Sequence, residues 1–191
     1  MPLEFGDFLE SYEVFKSAYA DLVAYIQDKP LEVLVEIENA FSHIAVALSA
    51  PNSEVGRRNL DKAVSHLQRA TLDCYKLLWV KLGEDVELIL RDEKKRVAVT
   101  METGKLWKLW ESFKKKSLEA RKLEMEHVGR NPLAAVDAYR EACALAWEIL
   151  ESVDEAKHIE VKKLYFKSKL WELLASALAG ALITKILSWL L

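Results

Sequence analysis

The chain has 191 residues, 51% of them hydrophobic and 30% charged, with 6 glycines and 4 prolines; this excludes a disordered chain, a polytopic membrane protein and a turn-rich sandwich, and suits water-facing helices. Its formal charge of -3 provides no general pull toward nucleic acid, so an anionic partner has to be met by a local patch. The only cysteines, Cys74 and Cys143, fall on apolar helical faces, which argues against a disulfide framework and for a reducing, cytosolic side.

The start, MPLEFGDFLESYEVF, carries acids where a secretory leader needs bases, and no continuous apolar run follows. From Phe5 to about Asp28, apolar residues such as Phe8, Tyr12, Phe15, Tyr19, Leu22 and Ile26 recur at three- and four-residue intervals, which predicts an amphipathic helix ended by Lys29-Pro30. A second helix is expected from about Leu31 to Ser49, burying Leu34, Val35, Ile37, Phe41, Ile44, Ala45 and Leu48, with Ala50-Pro51-Asn52-Ser53 as its stop. The third begins at or before Asn59, a good N-cap, carries Leu60, Ala63, Leu67, Ala70, Cys74 and Leu78 along one face, and is interrupted at Gly83.

Between Glu84 and Gly104 the pattern fits either a helix, through Val86, Leu88, Ile89 and Leu90, or a two-stranded excursion through Val97-Ala98-Val99-Thr100. Helical rhythm returns at Leu106, Trp107, Leu109, Trp110 and Phe113 and passes into a polar run, KKKSLEARKLEMEH, before Gly129. Asn131 followed by Pro132 is a strong start signal for a helix burying Leu133, Val136, Tyr139, Ala142, Cys143, Ala146, Trp147 and Leu150. Ser152 and Glu155 resemble a capping box and mark either a new helix or a joint; without a break, one rod of about 90 Å would run from Asn131 to Leu191.

The last stretch, Leu170–Leu191, holds charge only at Glu172 and Lys185. At helical rise its roughly 22 residues reach about 33 Å, enough to cross the hydrocarbon of a bilayer. Trp171 and Trp189 stand near opposite ends, and Lys157, Lys162, Lys163, Lys167 and Lys169 precede the stretch as a basic collar opposed only by Glu160. Both features fit a C-terminal membrane anchor with the bulk of the chain on the cytoplasmic side. Ser176, Gly180, Thr184 and Ser188 form a stripe at four-residue spacing, which in a membrane lets helices approach closely and motivates self-association or a small pore. Two other readings stand beside it: the central helix of a soluble bundle, and a helix lying in the interface.

Other patterns bear on chemistry. The segments Val55–Val64 and Val128–Val136 echo each other, as a duplicated hairpin would or as two helix starts drawn from one vocabulary. Glu124 with His127, and Glu155 with His158, have the Glu-x-x-His spacing of di-iron helices, but both lie in charged segments, so no metal or other cofactor is expected. Lys114, Lys115, Lys116, Arg121, Lys122 and Arg130, with Trp107 and Trp110 nearby, could serve phosphates or anionic lipid, although Glu119, Glu124 and Glu126 interrupt the strip. Arg121 and His127 in RKLEMEH, together with the helix Asn59–Trp79, make the chain resemble HEPN-like helical domains of prokaryotic conflict systems. That resemblance implies an all-helical fold that often dimerises and, in active members, cleaves RNA between arginine and histidine. Lys122 stands where that family usually has a polar residue such as Asn, Asp or His.

The expectation is therefore an all-α antiparallel bundle over 1–156, a collar over 157–169 and an anchor over 170–191. Its expected role is that of a non-enzymatic effector or adaptor, partnered by membrane lipid, by further copies of itself and by a protein. The alternatives are a HEPN-like ribonuclease acting on RNA through Arg121 and His127, and a soluble helical interaction module.

Overall fold

The computed structural model describes residues 3–190, with side chains through Gly180. The described residues form α1 (Gly6–Ile26), α2 (Leu31–Ser49), α3 (Glu54–Arg91), α4 (Glu93–Ala98), α5 (Thr103–Glu126), a 3-10 turn (Pro132–Ala135), α6 (Val136–Glu151) and α7 (Glu155–Leu190). They make an all-α fold in two compact units, Met1–Glu87 with Glu102–Leu150, and Leu88–Met101 with Glu151–Leu191.

The first unit is organised along α3. Ser53 starts this helix: its hydroxyl accepts from Gly56 N at 3.0 Å and its carbonyl from Arg57 N at 3.3 Å, which satisfies amides a helix start leaves open. Asn59, the cap expected from sequence, lies inside the helix and accepts instead from His43 Nδ1 at 2.8 Å. Gly56, Leu60, Ala63, Leu67, Ala70, Cys74, Leu78, Leu82 and Val86 are buried in sequence, a seam at three- and four-residue spacing that faces the core. Gly83 does not interrupt the helix, because its role is space: a Cβ there would stand 3.0 Å from Cζ of Phe113, the aromatic that α5 drives against this turn.

α2 turns a different face inward from the one its large residues suggest. Val33, Ala40 and Ala47 are buried, whereas Leu34, Val35, Phe41 and Leu48 are exposed, Phe41 to 63% and Leu48 to 58%. The small-residue face wins because α2 and α3 meet so closely at their shared turn that a Cβ on Gly56 would collide with the carbonyl of Ala50. Cross-links between elements are polar as well as apolar. Tyr25 donates to Asp85 Oδ2 at 2.6 Å while its ring meets Trp147 edge-on at 4.8 Å, joining α1, α3 and α6. Trp79 Nε1 donates to Ser117 Oγ at 2.7 Å, which donates in turn to Phe113 O, so the one buried serine of α5 has both roles filled. Cys74 and Cys143 are buried free thiols, and burial pushes the pKa of each up to about 12.

In the second unit Asp92 caps α4 by accepting from Lys94 N at 2.9 Å and Lys95 N at 3.4 Å. The β-branched run becomes a single antiparallel bridge, Val99 with Val153, flanked by Thr100 N to Ser152 O at 2.8 Å and Asp154 N to Ala98 O at 3.0 Å. That bridge breaks the continuous rod, and Asp154, accepting from Lys157 N at 3.0 Å, caps α7 where Ser152 was the expected cap. Lys94 Nζ lies 4.4 Å over the Tyr165 ring. From Lys162 through Gly180 every residue of α7 is exposed. Among the described residues no helix is long and apolar enough to cross a membrane. Thr184, Ser188 and the remainder of the Leu170–Leu191 stretch beyond Gly180 lie outside the described side chains. The echo of Val55–Val64 in Val128–Val136 is one of letters: the first segment lies within α3, the second is a loop, the 3-10 turn and the first residue of α6.

Close approach at the α2–α3 turn makes Gly56 a sensitive position. Gly56→Ala should lower stability in urea by about 1–3 kcal/mol, whereas Gly6→Ala, with nothing within 4 Å of the added carbon, should leave the midpoint nearly unchanged.

Candidate functional site

The chain makes one tight polar turn after α5, and the candidate site grows from it. The His127 carbonyl accepts from Arg130 N at 3.0 Å and Asn131 N at 3.2 Å. Gly129 takes φ +72, a left-handed conformation that a side chain would strain. Asn131 Oδ1 accepts from Leu133 N at 3.1 Å and Pro132 stands at the head of the 3-10 turn, as the sequence signal predicts. Folded back on α3, this loop encloses a cleft of about 320 Å³ lined by Ser65, Arg69, Leu72, Asp73 and Lys76 on one side and by Glu124, His127 and residues 128–132 on the other.

Two carboxylates organise the charges in and beside the cleft: Glu124 on its wall, and Glu36, which bonds the wall residue Arg69. Glu124 receives Lys76 Nζ at 2.7 Å, the Tyr139 hydroxyl at 2.7 Å and Arg121 at 3.2 Å. Burial works to raise its pKa, but the bonds from Lys76 and Tyr139 outweigh it and hold the carboxyl below the ordinary value of 4.5. Burial lifts the Tyr139 phenol, and its bond to Glu124 lifts it further, so it stays a donor. Glu36 receives His66 Nδ1 at 2.6 Å and Arg69 Nε at 3.2 Å. Since Nδ1 serves the carboxylate, the approach of Arg69 to the same nitrogen at 2.9 Å is a consequence of both pointing at Glu36. His66 stacks on His43 at 5.2 Å, so both histidines are half-buried and partnered. Asp73, on the cleft wall, has a carboxyl raised by desolvation, with Lys76 at 3.9 Å opposing the shift.

The sequence-selected residues are thereby dispersed. His127 lines the cleft, and its ring has no hydrogen-bond partner among the described residues; Arg121 is turned to Glu124 and is not on the wall. In the basic strip, Lys116 is paired with Glu119 at 3.0 Å and Glu141 at 2.7 Å, Lys122 lies 3.8 Å from Glu126, and Lys114 covers Trp110. The two Glu-x-x-His pairs fall in separate units, and no group of three or more metal-ligating side chains occurs among the described residues. His158 is 5% exposed and its Nδ1 lacks a partner. Collar residues Lys162, Lys163, Lys167 and Lys169 are exposed; Lys169 bonds Glu172 at 3.0 Å, and Ser176 donates to the carbonyl of Glu172 at 2.8 Å. Arg69, Asp73 and Lys76, which supply the other wall, recur at four- and three-residue spacing on α3, a pattern that in sequence cannot be told from a solvated face. Comparisons with protein-family models, with curated proteins and with solved structures find no match.

Because the folded-state pKa of Glu124 is depressed, its stabilisation is complete above about pH 4.5 and is lost as pH falls through the folded value. Glu124→Gln should be less stable than the native chain by about 1–3 kcal/mol near pH 7. The gap should narrow as pH falls below the ordinary carboxyl value of 4.5; a gap independent of pH in urea titrations would count against this assignment.

Proposed function

We propose that this chain is a membrane-tethered helical effector or adaptor that works by oligomeric assembly, with an antiparallel bundle held at the membrane by its long hydrophobic last helix. The observation carrying this reading is the uncovered state of α7. Leu170, Trp171, Leu173, Leu174 and Leu178 share one broad face of the helix and all are exposed, Trp171 to 69% and Leu178 to 65%. Full burial of one leucine is worth roughly 1.5–3 kcal/mol. Four leucines left about half or more in water therefore leave several kcal/mol unrealised, comparable to the net stability of a small domain. Lipid would supply that burial. Lys162, Lys163, Lys167 and Lys169 would lie at the headgroups, Lys169 neutralising Glu172 at the leading edge. The outward residues of α2, Leu31, Leu34, Phe41 and Leu48, offer further apolar surface of the kind that associating copies bury.

A second reading, RNA cleavage by Arg121 and His127, is favoured by one observation: His127 opens onto a cleft that also holds Arg69, Lys76 and Arg130. Against it, Arg121 is committed to Glu124.

Carbonate-resistant pelleting of the full chain, abolished by truncation after Lys169, is the expected result; a monodisperse full-length protein without detergent would leave a soluble interaction module instead. Within the pelleted fraction, the pair Ser176→Leu and Gly180→Leu should dissolve any detergent-stable oligomer made through the anchor. For the second reading, RNA turnover that disappears in His127→Ala is required, and turnover unchanged in that variant removes it.

A further inference from the structure

We propose that the cleft between α3 and the 127–132 turn binds a phosphate monoester carried on a small, nucleotide-sized body. The proposal concerns the first unit alone and does not depend on the membrane reading.

Charge identifies the ligand's sign. Arg69, Lys76 and Arg130 line the cleft with the carboxylates of Asp73 and Glu124, three cations to two anions, in a chain whose overall charge is negative. The carboxylates do not restore the balance at the opening. Glu36, beside the cleft, is taken by Arg69 and His66, Glu124 by Lys76, Arg121 and Tyr139, and Asp73 faces Lys76 at 3.9 Å. What remains turned to the cleft without a partner among the described residues is the Arg130 guanidinium and the His127 ring. A guanidinium with two free edges suits a tetrahedral oxyanion, since it can give two parallel hydrogen bonds. A cationic ligand would meet that same excess of positive charge, and a purely apolar one would bury donors without acceptors.

Size and lining identify the rest of the ligand. A cleft of about 320 Å³ lies at the small end of ligand sites, large enough for a phosphate with one ring system and too small for a folded polymer. Leu72, Val128 and Pro132 give it an apolar wall beside the cations, the place for a base or similar flat body. Asp73, on the same wall, can accept a hydrogen bond from a hydroxyl of that body. The turn itself is held by its own backbone bonds and by Gly129, so Arg130 is presented from a fixed loop.

The test uses the full chain in detergent, titrated separately with inorganic phosphate, adenosine monophosphate, glycerol 3-phosphate and adenosine, followed by calorimetry and by thermal midpoint. Saturable binding of the nucleotide is expected, with adenosine at least tenfold weaker. Arg130→Gln, which removes no contact the fold uses, should weaken nucleotide binding tenfold or more, while Lys122→Gln on the neighbouring helix should leave it as it is. Tighter binding of the nucleotide than of glycerol 3-phosphate supports a free nucleotide over a lipid headgroup as the source, and the reverse overturns the nucleotide-sized body. Adenosine binding as well as its phosphate, nucleotide binding untouched by Arg130→Gln, or no saturation by any phosphate would each overturn the site, the second by showing an adventitious ion only.

Discussion

The close approach of helices to α3 is the constraint on which the rest of the first unit depends. Its seam alternates bulk with near-absence of bulk: Leu60, Leu67, Leu78 and Leu82 fill space, while Gly56, Ala63, Ala70 and Gly83 give it away. At Gly56 the α2 turn comes so near that one added carbon would meet backbone, and at Gly83 the Phe113 ring occupies the missing side chain's place. Interiors packed at crystal density transmit such constraints. The choice of α2's inner face follows from this contact, and so does the outward placement of its larger residues.

Helices drawn this close bury polar groups, and the structure answers with partnered chains of them. Tyr25 with Asp85, Trp79 with Ser117, and Tyr139 with Glu124 each bring a donor on one helix to an acceptor on another. These bonds matter less for their net energy, about 1 kcal/mol each, than for the registers they exclude, since a slipped helix would leave each partner buried and alone. Glu124 shows the cost of concentrating such bonds. Three donors on one carboxylate hold the end of α5, and they also draw Lys76 and Arg121 to one side, leaving Arg130 and His127 across the cleft with no counter-charge of their own.

Much of the fold was legible in the sequence. The three- and four-residue rhythm located α1, α2 and α6 closely, and Asn131-Pro132 marked a helix start that the structure uses. Two signals misled for identifiable reasons. Glycine at position 83 reads as a breaker when only propensity is weighed, yet packing against Phe113 repays its flexibility in the helix. In α2 the larger apolar residues define the stronger stripe, and nothing local reveals that a neighbour will come too close to admit them. The candidate site was half legible: His127 and Arg130 lay in a turn whose punctuation was clear, whereas Arg69, Asp73 and Lys76 sat on a helix face that only tertiary contact distinguishes from solvated surface. Arg121 and His127, with five residues between them, pair by spacing in the sequence, whereas in the structure Arg121 is held with Tyr139 at Glu124 and His127 lines the cleft.

The geometry of α7 also limits what can cover it. An amphipathic helix needs one groove, because only one face is apolar, and α2 is of that kind. At about 100° per residue, Leu170, Trp171, Leu173, Leu174 and Leu178 fall within an arc of roughly 160°, so the five share one broad apolar face with Glu172 opposite it. A cover for the five large residues therefore needs one side only, and Ser176 and Gly180 share the remaining side with Glu172, where small side chains let another helix come near. The lysines that precede these residues bound the depth of such burial, since ammonium groups keep to water while their methylene stems reach inward.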